Sequence, residues 1–389
     1  MEKTKPLKIA YLTPSLHIAG GIERVLTMKA SYLAEQFGYD VTIILTDGKD
    51  KPMAYPLSPE VKVVNLDIGF EELWSCGFAK KTLLYLKKQR RYHRSLETTL
   101  KEIRPDITVS LLRREINFIC DIGDGSRKIG EMHINRANYR NFRPGQSNLL
   151  KRVFAHFWMR QLMGKLEKLD SFVVLTHEDA LAWRPLNKVE VIPDPLSLPL
   201  GAVSPLTEKR VIAVGRYSWE KGFDLLLQAW AIVSKRHLDW QLQVFGAGER
   251  EPYEAMARQL GLNPESYRLN GPTDDIRSEY LRSSVFAFSS RFEGFGMALV
   301  EAMSCGLPVV SFACPCGPKE IISHQNDGLL VEPENIQSMA DSICRIIEQP
   351  QLARQLAVAA RRKAASYTIE PLALRWKELF ERLCPRDTM

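Results

Sequence analysis

The sequence predicts an α/β protein of two domains, each built on an open parallel β-sheet with helices on both faces. Apolar runs typical of buried strands alternate with helical stretches along nearly the whole chain. Four prolines between 193 and 205 interrupt this alternation, which then resumes. A chain of 389 residues is also too long for one ordinary hydrophobic core. We therefore predict an N-terminal domain at 1–195 and a C-terminal domain at 206–366.

The first domain begins with a short apolar run and continues with strands and helices in turn. The predicted strands are 8–12, 41–45, 61–64, 107–109, 128–131, 172–175 and 189–192. The predicted helices are 22–37, which ends at Gly38, then 78–103 and 147–169. Strands that alternate with helices in this way favour a parallel sheet.

The second domain repeats the pattern. Its predicted strands include 211–214, 241–245, 285–288 and 328–331, and its predicted helices include 223–235, 252–260, 297–303, 335–348, 352–365 and 371–383. Asp274-Asp275 is interpreted as a helix N-cap rather than a metal-binding motif. Because open α/β sheets bind ligands beyond the carboxyl ends of their strands, we expect a site in a cleft between the two domains.

Composition limits the class of protein. The chain is 45% hydrophobic and 25% charged, with a formal net charge of +7. Seven cysteines without framework spacing favour reduced thiols and a cytosolic protein, and Cys314-Pro-Cys316 lacks the second pair that a structural zinc site needs. No signal peptide is evident, and no run approaches the roughly 18–20 apolar residues of a membrane span.

One stretch, from Arg291 to Glu301, carries the strongest functional signal. It follows a predicted strand, contains a glycine-rich turn and leads into a helix, with Glu293 before that helix and Glu301 on it. Unpaired backbone N–H groups and the positive end of the helix dipole meet at such a turn. The stretch therefore predicts a site for an anionic or hydroxyl-rich ligand.

A second strand–turn–helix junction, Gly215–Gly222, places Arg216 and Lys221 five residues apart. A planar guanidinium and a point-charge ammonium suit a diphosphate, although in isolation a solvated charged turn is the better explanation. Glu293 also lies at a strand end in the C-terminal half of the chain, and its carboxylate makes a diphosphate site the better interpretation. Together these residues predict a site for a nucleotide-diphosphate sugar.

Three further signals are weaker. Gly20-Gly21 would let the backbone approach a phosphate, or would simply form a tight turn. His133 follows a strand, and a lone histidine is more often structural than catalytic. Gly246 belongs to an incomplete dinucleotide fingerprint, so close approach to a nucleotide base is the better interpretation than NAD binding.

These motifs resemble those of the family 4 retaining glycosyltransferases, which have the GT-B fold of two Rossmann-like domains facing each other across a cleft. The resemblance rests on the Glu-x7-Glu element at 293–301, on 215–222 and on the Gly-Gly-x-Glu-Arg run at 20–24, and it covers nearly the whole chain. The segment 311–322 is similar to members that add galactose or N-acetylhexosamines in bacterial surface-polysaccharide and lipid-linked glycan assembly. The chain departs from the family at Asp194, where Asn is usual.

The resemblance implies a role for each site residue. The predicted catalytic residues are Arg216 and Lys221 on the donor diphosphate, Glu293 on the sugar hydroxyls and His133 in the donor-sugar pocket. The predicted donor-binding residues are Gly20, Gly21, Gly246, Phe295, Gly296, Met297 and Glu301, the last on the ribose hydroxyls. The family's final helix crosses back to the first domain, which fits 367–389. The resemblance further implies a retaining hexosyltransferase that uses a UDP-sugar, with no metal and no separate cofactor.

The acceptor is predicted from charge. Basic residues are concentrated at 78–104 and 139–168, where aromatic residues accompany the second cluster. This pattern favours an anionic inner-membrane surface and a lipid-linked saccharide acceptor, unless the aromatics are core residues and the charges a solvated face. Nucleic acid is a poorer fit, because no nucleic-acid-binding module accompanies the charge. Two alternative functions stay open: a NAD-dependent oxidoreductase, and a non-catalytic nucleotide-sugar-binding protein.

Overall fold

The computed structural model describes residues 5–75, 77–139 and 149–385. These residues form two compact units. The first comprises the described chain up to Leu175, Asp179–Pro195 and the described chain from Ile369, and the second comprises Thr176–Glu178 and Leu196–Thr368. Each unit contains one β-sheet whose strand pairs are parallel, so the predicted α/β class is confirmed.

The first unit contains a seven-stranded sheet in the order β3-β2-β1-β4-β5-β6-β7. Its strands are β1 (Lys8–Thr13), β2 (Asp40–Leu45), β3 (Lys62–Asn65), β4 (Ile107–Ser110), β5 (Arg127–Glu131), β6 (Ser171–Val174) and β7 (Val189–Val191). The helices of this part of the chain are α1 (Gly21–Phe37), α2 (Phe78–Ile103), α3 (Leu149–Leu166) and α4 (His177–Ala182), and the first unit also includes α12 (Ile369–Leu383).

Side chains of the first sheet alternate between two cores. Ile9 and Tyr11 of β1 belong to a cluster that includes residues of α1 and Trp376 of α12. Ala10 and Leu12 belong to the opposite cluster, which includes residues of α2. This alternation follows from the period of two along a strand and explains why the sheet is covered on both faces.

The second unit contains a six-stranded sheet in the order β10-β9-β8-β11-β12-β13. Its strands are β8 (Arg210–Val214), β9 (Gln241–Phe245), β10 (Tyr267–Asn270), β11 (Val285–Phe288), β12 (Val309–Phe312) and β13 (Leu329–Val331). Its helices are α5 (Phe223–Arg236), α6 (Glu251–Gln259), α7 (Ile276–Leu281), α8 (Met297–Ser304), α9 (Pro318–Ile321), α10 (Ile336–Glu348) and α11 (Pro350–Ala365). Residues of α5 and α10 fill the core on one face of this sheet, with Trp230 fully buried.

The predicted elements lie close to the observed ones. The helix predicted at 78–103 is α2. The helix predicted at 147–169 corresponds to α3, which ends three residues earlier at Leu166, while 147 and 148 lie outside the described residues. The N-cap interpretation is confirmed for Asp275, whose side chain accepts a hydrogen bond from Ser278 N at 3.1 Å. Among the helices that the structure describes, none is both long and apolar enough to cross a membrane.

Candidate functional site

The candidate site is built from turns at one edge of the second sheet. Because the strands of this sheet are parallel, the turns that follow β8, β9, β11 and β12 all leave the same edge. These turns are 215–222, 246–250, 289–296 and 313–317. They contain the predicted diphosphate-binding and sugar-binding residues of the second unit.

The turns after β8 and β11 are joined by hydrogen bonds that involve the backbone of the first turn. Ser289 Oγ donates to Lys221 O at 2.9 Å, and Arg291 N donates to Glu220 O at 2.8 Å. These bonds satisfy polar groups that would otherwise be left unpaired in the turns. They also fix the two motifs found in the sequence relative to each other.

The side chain of Arg291 strengthens the same connection. Its guanidinium donates to both carboxylate oxygens of Asp224, at 2.8 and 2.6 Å, and to Trp219 O at 2.8 Å, and only 9% of the side chain is exposed. The hydrogen bond to Asp224 is the largest of the effects that raise the pKa of Arg291. Because bidentate charge-assisted bonds restrict geometry as well as adding energy, Arg291 holds the turn that carries Lys221.

Lys221 and Glu293 form the centre of the site. Lys221 Nζ lies 2.8 Å from Glu293 Oε1, which also accepts from Ser290 Oγ at 2.5 Å. The two side chains are 19% and 10% exposed, so the pair is mostly shielded but reachable. An incoming anion would therefore compete with Glu293 for the lysine ammonium.

Arg216 lies beside this pair in sequence but in a different environment. Its side chain is 74% exposed, and Nη2 lies 3.1 Å from Glu220 Oε1. An exposed ion pair of this kind contributes little to stability, so exchanging its partner costs little. The guanidinium can therefore turn toward a ligand at the adjacent turn.

The glycine-rich turn before α8 has a conformation that requires glycine. Gly296 is the N-cap of α8 and has a φ of 109°, a region that side-chain-bearing residues rarely adopt. Phe295 before it is 4% exposed and packs edge-on against Tyr367, with ring centroids 5.4 Å apart. Met297 is the first residue of α8, so its N–H belongs to the unsatisfied groups at the helix N-terminus.

Glu301 is buried on α8, with 6% of its surface exposed. One carboxylate oxygen accepts from Ser197 Oγ, and the other accepts from Tyr280 Oη at 3.3 Å. Both of these donors are hydroxyl groups, so the position of the carboxylate suits hydroxyl donors. The predicted ribose contact would exchange one hydroxyl for another.

Gly246 follows β9, where it makes a close contact within the protein. A Cβ atom at this position would lie 1.7 Å from Gly215 O, too close for any side chain. The glycine therefore allows the turns after β8 and β9 to pack together. A nucleotide contact at Gly246 stays a prediction.

The predicted residues of the first unit lie on α1 and after β5. Gly20 is the N-cap of α1 and Gly21 its first residue. A Cβ at Gly20 would lie 2.3 Å from the carboxylate of Glu23, so this turn is closely packed. A phosphate contact by either glycine stays a prediction.

His133 belongs to a buried chain of four charged side chains. Lys29 Nζ lies 2.5 and 2.6 Å from the two carboxylate oxygens of Glu131, His133 Nε2 lies 3.3 Å from Glu131, and His133 Nδ1 lies 3.2 Å from Asp194. Only 4% of the imidazole is exposed. A neutral imidazole can donate from one nitrogen only, so two facing carboxylates favour the imidazolium.

The pKa values agree with this geometry. Burial alone would lower the pKa of His133, but the charges and hydrogen bonds of Asp194 and Glu131 outweigh it and raise the pKa to about 9. Burial alone would raise the pKa of Glu131, but Lys29 and His133 lower it to about 2. Glu131 is therefore ionised and His133 protonated at neutral pH.

Among the described residues, two groups have ligand atoms close enough together to hold a metal ion. One is Glu131, His133 and Asp194, and the other is His237, Cys344 and Glu348. In the first group Lys29 already neutralises Glu131, so a metal ion there would face an ammonium group. Lys29 thus makes this group a poor fit to a metal.

Several of these residues are not evident from sequence patterns. The hydrogen-bond partners Ser197, Tyr280, Asp224 and Lys29 lie far along the chain from the motifs that they support. The one available signal is Asp194, where the chain departs from the family's usual Asn. That departure supplies the second carboxylate of His133.

The chain is similar to several known proteins. It is 28% identical over 378 residues to a Haemophilus influenzae protein described as an uncharacterized glycosyltransferase, covering 95% of this chain and 99% of that one. It is 24% identical over 386 residues to a Campylobacter jejuni α-1,4-N-acetyl-D-galactosaminyltransferase that acts on an undecaprenyl-diphosphate-linked saccharide, covering 96% and 98%. The crystal structure of a Staphylococcus aureus TarM variant with UDP superposes with a TM-score of 0.77 at 16% identity, covering 96% and 100%.

The chain has two β-sheets, each made of parallel strands, and this is the fold of the GT-B glycosyltransferases. Residues 202–363, most of the second unit, match the family described as glycosyl transferases group 1. This segment contains the motifs at Arg216, Lys221, Glu293 and Glu301, and the match confirms the resemblance drawn from them.

Proposed function

We propose that this enzyme transfers a hexose or N-acetylhexosamine from a UDP-sugar to a hydroxyl of a lipid-linked or surface-glycan acceptor, with retention and an α linkage. The observation that carries the proposal is the Lys221–Glu293 pair, 2.8 Å apart, between two strand-end turns and next to the N-terminus of α8. A sugar diphosphate has an anionic part and hydroxyl groups; the cation suits the first, and the carboxylate suits the second.

Each end of the donor has a matching group. Lys221 and Arg216 would bind the diphosphate, with the N–H groups at the start of α8 adding partial positive charge. Glu293 would accept hydrogen bonds from sugar hydroxyls, as it does from Ser290 Oγ. Glu301 would accept from the ribose in place of Ser197 or Tyr280.

The chemistry would be mainly electrostatic. The bond between the anomeric carbon and the diphosphate oxygen breaks, and a bond to the acceptor oxygen forms on the same face of the sugar. The acceptor proton passes to the departing diphosphate, which is the nearest base on that face. Lys221, Arg216 and the N-terminus of α8 would stabilise the charge that develops on the leaving group.

His133 would act differently from a general base. Both of its nitrogens face carboxylates, and its pKa is raised to about 9, so it has no lone pair to accept a proton at neutral pH. A sugar hydroxyl would have to replace one carboxylate to bind it. We therefore assign His133 no proton-transfer role, and its contact with the donor sugar stays a prediction.

The comparisons support the choice of substrates. The Staphylococcus aureus structure contains UDP, and the Campylobacter jejuni relative is named for an undecaprenyl-diphosphate-linked saccharide. All six cysteines that the structure describes are free thiols, which suits the reducing compartment in which nucleotide sugars are made. We therefore propose that the enzyme works at the cytoplasmic face of the membrane.

The first test is binding and turnover of the donor. UDP should bind in calorimetry, and one UDP-sugar should release UDP in the presence of extracted lipid-linked glycans, with an α anomer by NMR. Lys221→Gln should weaken UDP binding about 10- to 100-fold, because it removes a charge-assisted contact. Glu293→Gln should not weaken UDP binding, because it removes a competitor for the Lys221 ammonium, but it should remove the preference for the sugar nucleotide over UDP.

The matched control is Lys235→Gln, an exposed lysine of α5 that should bind UDP like the unchanged protein. If UDP does not bind, or if Lys221→Gln and Lys235→Gln behave alike, the proposed donor site is wrong. If UDP-sugars bind without transfer to any acceptor, the chain is a nucleotide-sugar-binding protein instead.

A further inference from the structure

We propose that the exposed face of α2 docks on an anionic phospholipid surface. The proposal rests on the proposed function, because a lipid-linked acceptor is confined to a membrane, and it names the partner that would bring the first unit to that acceptor. The docking face comprises exposed cations and leucines of α2: Lys80, Leu83, Leu86, Lys87, Arg90, Arg91 and Arg94.

The cations of this face lack partners in the described structure. All five are exposed, and none forms an ion pair or side-chain hydrogen bond with a described residue. Two other lysines of the same helix are paired: Lys88 lies 3.0 Å from Glu72 and Lys101 lies 2.7 Å from Glu97. The protein thus neutralises cations elsewhere on α2 and leaves the docking face uncompensated.

Two leucines lie among the cations. Leu83 is 72% exposed and Leu86 is 53% exposed. Helical spacing places Leu83, Leu86, Lys87, Arg90 and Arg94 on one side of α2. The opposite side packs into the core of the first unit through Tyr92, Leu96 and Leu100.

Charge and apolar surface together select a lipid surface over other partners. A second copy of the same face would bring like charges together. Nucleic acid would satisfy the cations but not the exposed leucines. An anionic bilayer satisfies both, because leucines enter the headgroup region while lysines and arginines contact lipid phosphates.

The second basic region adds less to this surface. Arg140, Phe142 and Arg143 lie outside the described residues. Trp158 of α3 stacks on Tyr139 with ring centroids 5.3 Å apart, so these two aromatics pack within the unit. Phe157 of α3 is 67% exposed, but Lys165 and Lys168 of this region already have partners in Asn117 and Asp121, so the docking face is assigned to α2.

The test is co-sedimentation of the full chain with vesicles. Binding is expected to phosphatidylcholine vesicles that contain roughly 30 mol% phosphatidylglycerol, to fall steeply with added salt, and to be absent with phosphatidylcholine alone. The triple variant Lys87→Glu, Arg90→Glu, Arg94→Glu should reduce the affinity on the order of 100-fold, since each cation contributes roughly fivefold. Leu83→Ser with Leu86→Ser should reduce it about tenfold or more while leaving the charge unchanged.

Matched controls lie in the second unit. Lys235→Glu, Arg354→Glu and Arg362→Glu together reverse the same number of exposed charges, and Leu238→Ser removes a leucine that is 85% exposed. Both controls should bind vesicles like the unchanged protein. UDP affinity should be the same in every variant, because none of these residues belongs to the donor site.

The outcomes separate this proposal from the proposed function. If the α2 and control triple variants lose equal affinity, binding is non-specific and the docking face is wrong. If the leucine variant is unaffected and double-stranded DNA competes for the protein as well as the vesicles do, the face is a polyanion site and the lipid assignment is wrong. Vesicle binding without UDP binding would support the docking face and show that the proposed donor site is wrong.

Discussion

Replacing Asp194 with asparagine would remove one of the two carboxylates that hold the imidazole of His133. Asp194 lies 3.2 Å from Nδ1, and Glu131 lies 3.3 Å from Nε2. The substitution keeps the size of the side chain and one oxygen that can accept a hydrogen bond from Nδ1. It therefore changes mainly the charge that favours the protonated ring.

The magnitude follows from the pKa of His133. A rise from 6.5 to about 9 corresponds to roughly 3 kcal/mol of stability. Because the folded-state pKa is the higher one, this stability is fully present below pH 6.5 and is lost as the pH rises to about 9. Asp194 is the leading contributor to the rise, so the cost of Asp194→Asn should fall by about 2 kcal/mol between about pH 6 and about pH 9.5.

The assay is urea unfolding at a series of pH values, followed by tryptophan fluorescence. The free energy of unfolding of the unchanged protein should decrease from about pH 6.5 to about pH 9. The variant should show a shallower decrease, so the two curves approach each other at high pH. Trp376, whose ring lies 4.1 Å from Lys29 Nζ, reports on the same region of the first unit.

A control variant tests whether any lost aspartate would do the same. Asp341→Asn breaks an exposed ion pair with Arg236, 2.7 Å long, and should cost about 0.5 kcal/mol or less at every pH in this range. If the cost of Asp194→Asn is the same at both ends of the range, Asp194 does not hold His133 in its charged form and the account of the network is refuted.

Two further substitutions test the second unit. Arg291→Lys loses the bidentate contact with Asp224 and should lower the free energy of unfolding by about 2 kcal/mol in the same urea assay; a change no larger than that of the exposed control pair would show that the contact holds nothing in place. Gly246→Ala should lower it by about 3 kcal/mol or more, because its Cβ would lie 1.7 Å from Gly215 O. Gly271→Ala, where a Cβ meets nothing within 4 Å, should be nearly neutral, and equal effects at the two glycines would contradict the packing explanation.

The sequence is informative where a residue's partners are near in the chain. Short apolar runs and the stop at Gly38 predicted the alternating elements, since strand and helix periods are local properties. The turn at Gly296 was predicted for the same reason. The resemblance to glycosyltransferases was predicted because the sequence motifs place Lys221 and Glu293 at strand ends. In the structure, Lys221 Nζ lies 2.8 Å from Glu293 Oε1.

Contacts between distant segments could not be predicted in this way. Lys29 and Glu131 are 102 residues apart in the chain, and Ser197 and Glu301 are 104 apart. No local spacing relates such pairs, because sheet topology alone decides which segments meet. His133 appeared in the sequence as a lone histidine, and its chemistry depends on neighbours that only the fold supplies.

The last helix has a consequence for the order in which the chain folds. Trp376, Leu379 and Phe380 of α12 complete the core that also contains Ile9 and Tyr11 of β1, so the first unit depends on residues from both ends of the chain. During synthesis, the ribosome must release these last residues before that core can close, whereas Leu196–Thr368 of the second unit form a continuous segment that is available earlier. The first unit is therefore the first to be synthesised in part and the last to complete its core. Truncation within α12 would destabilise the core around β1.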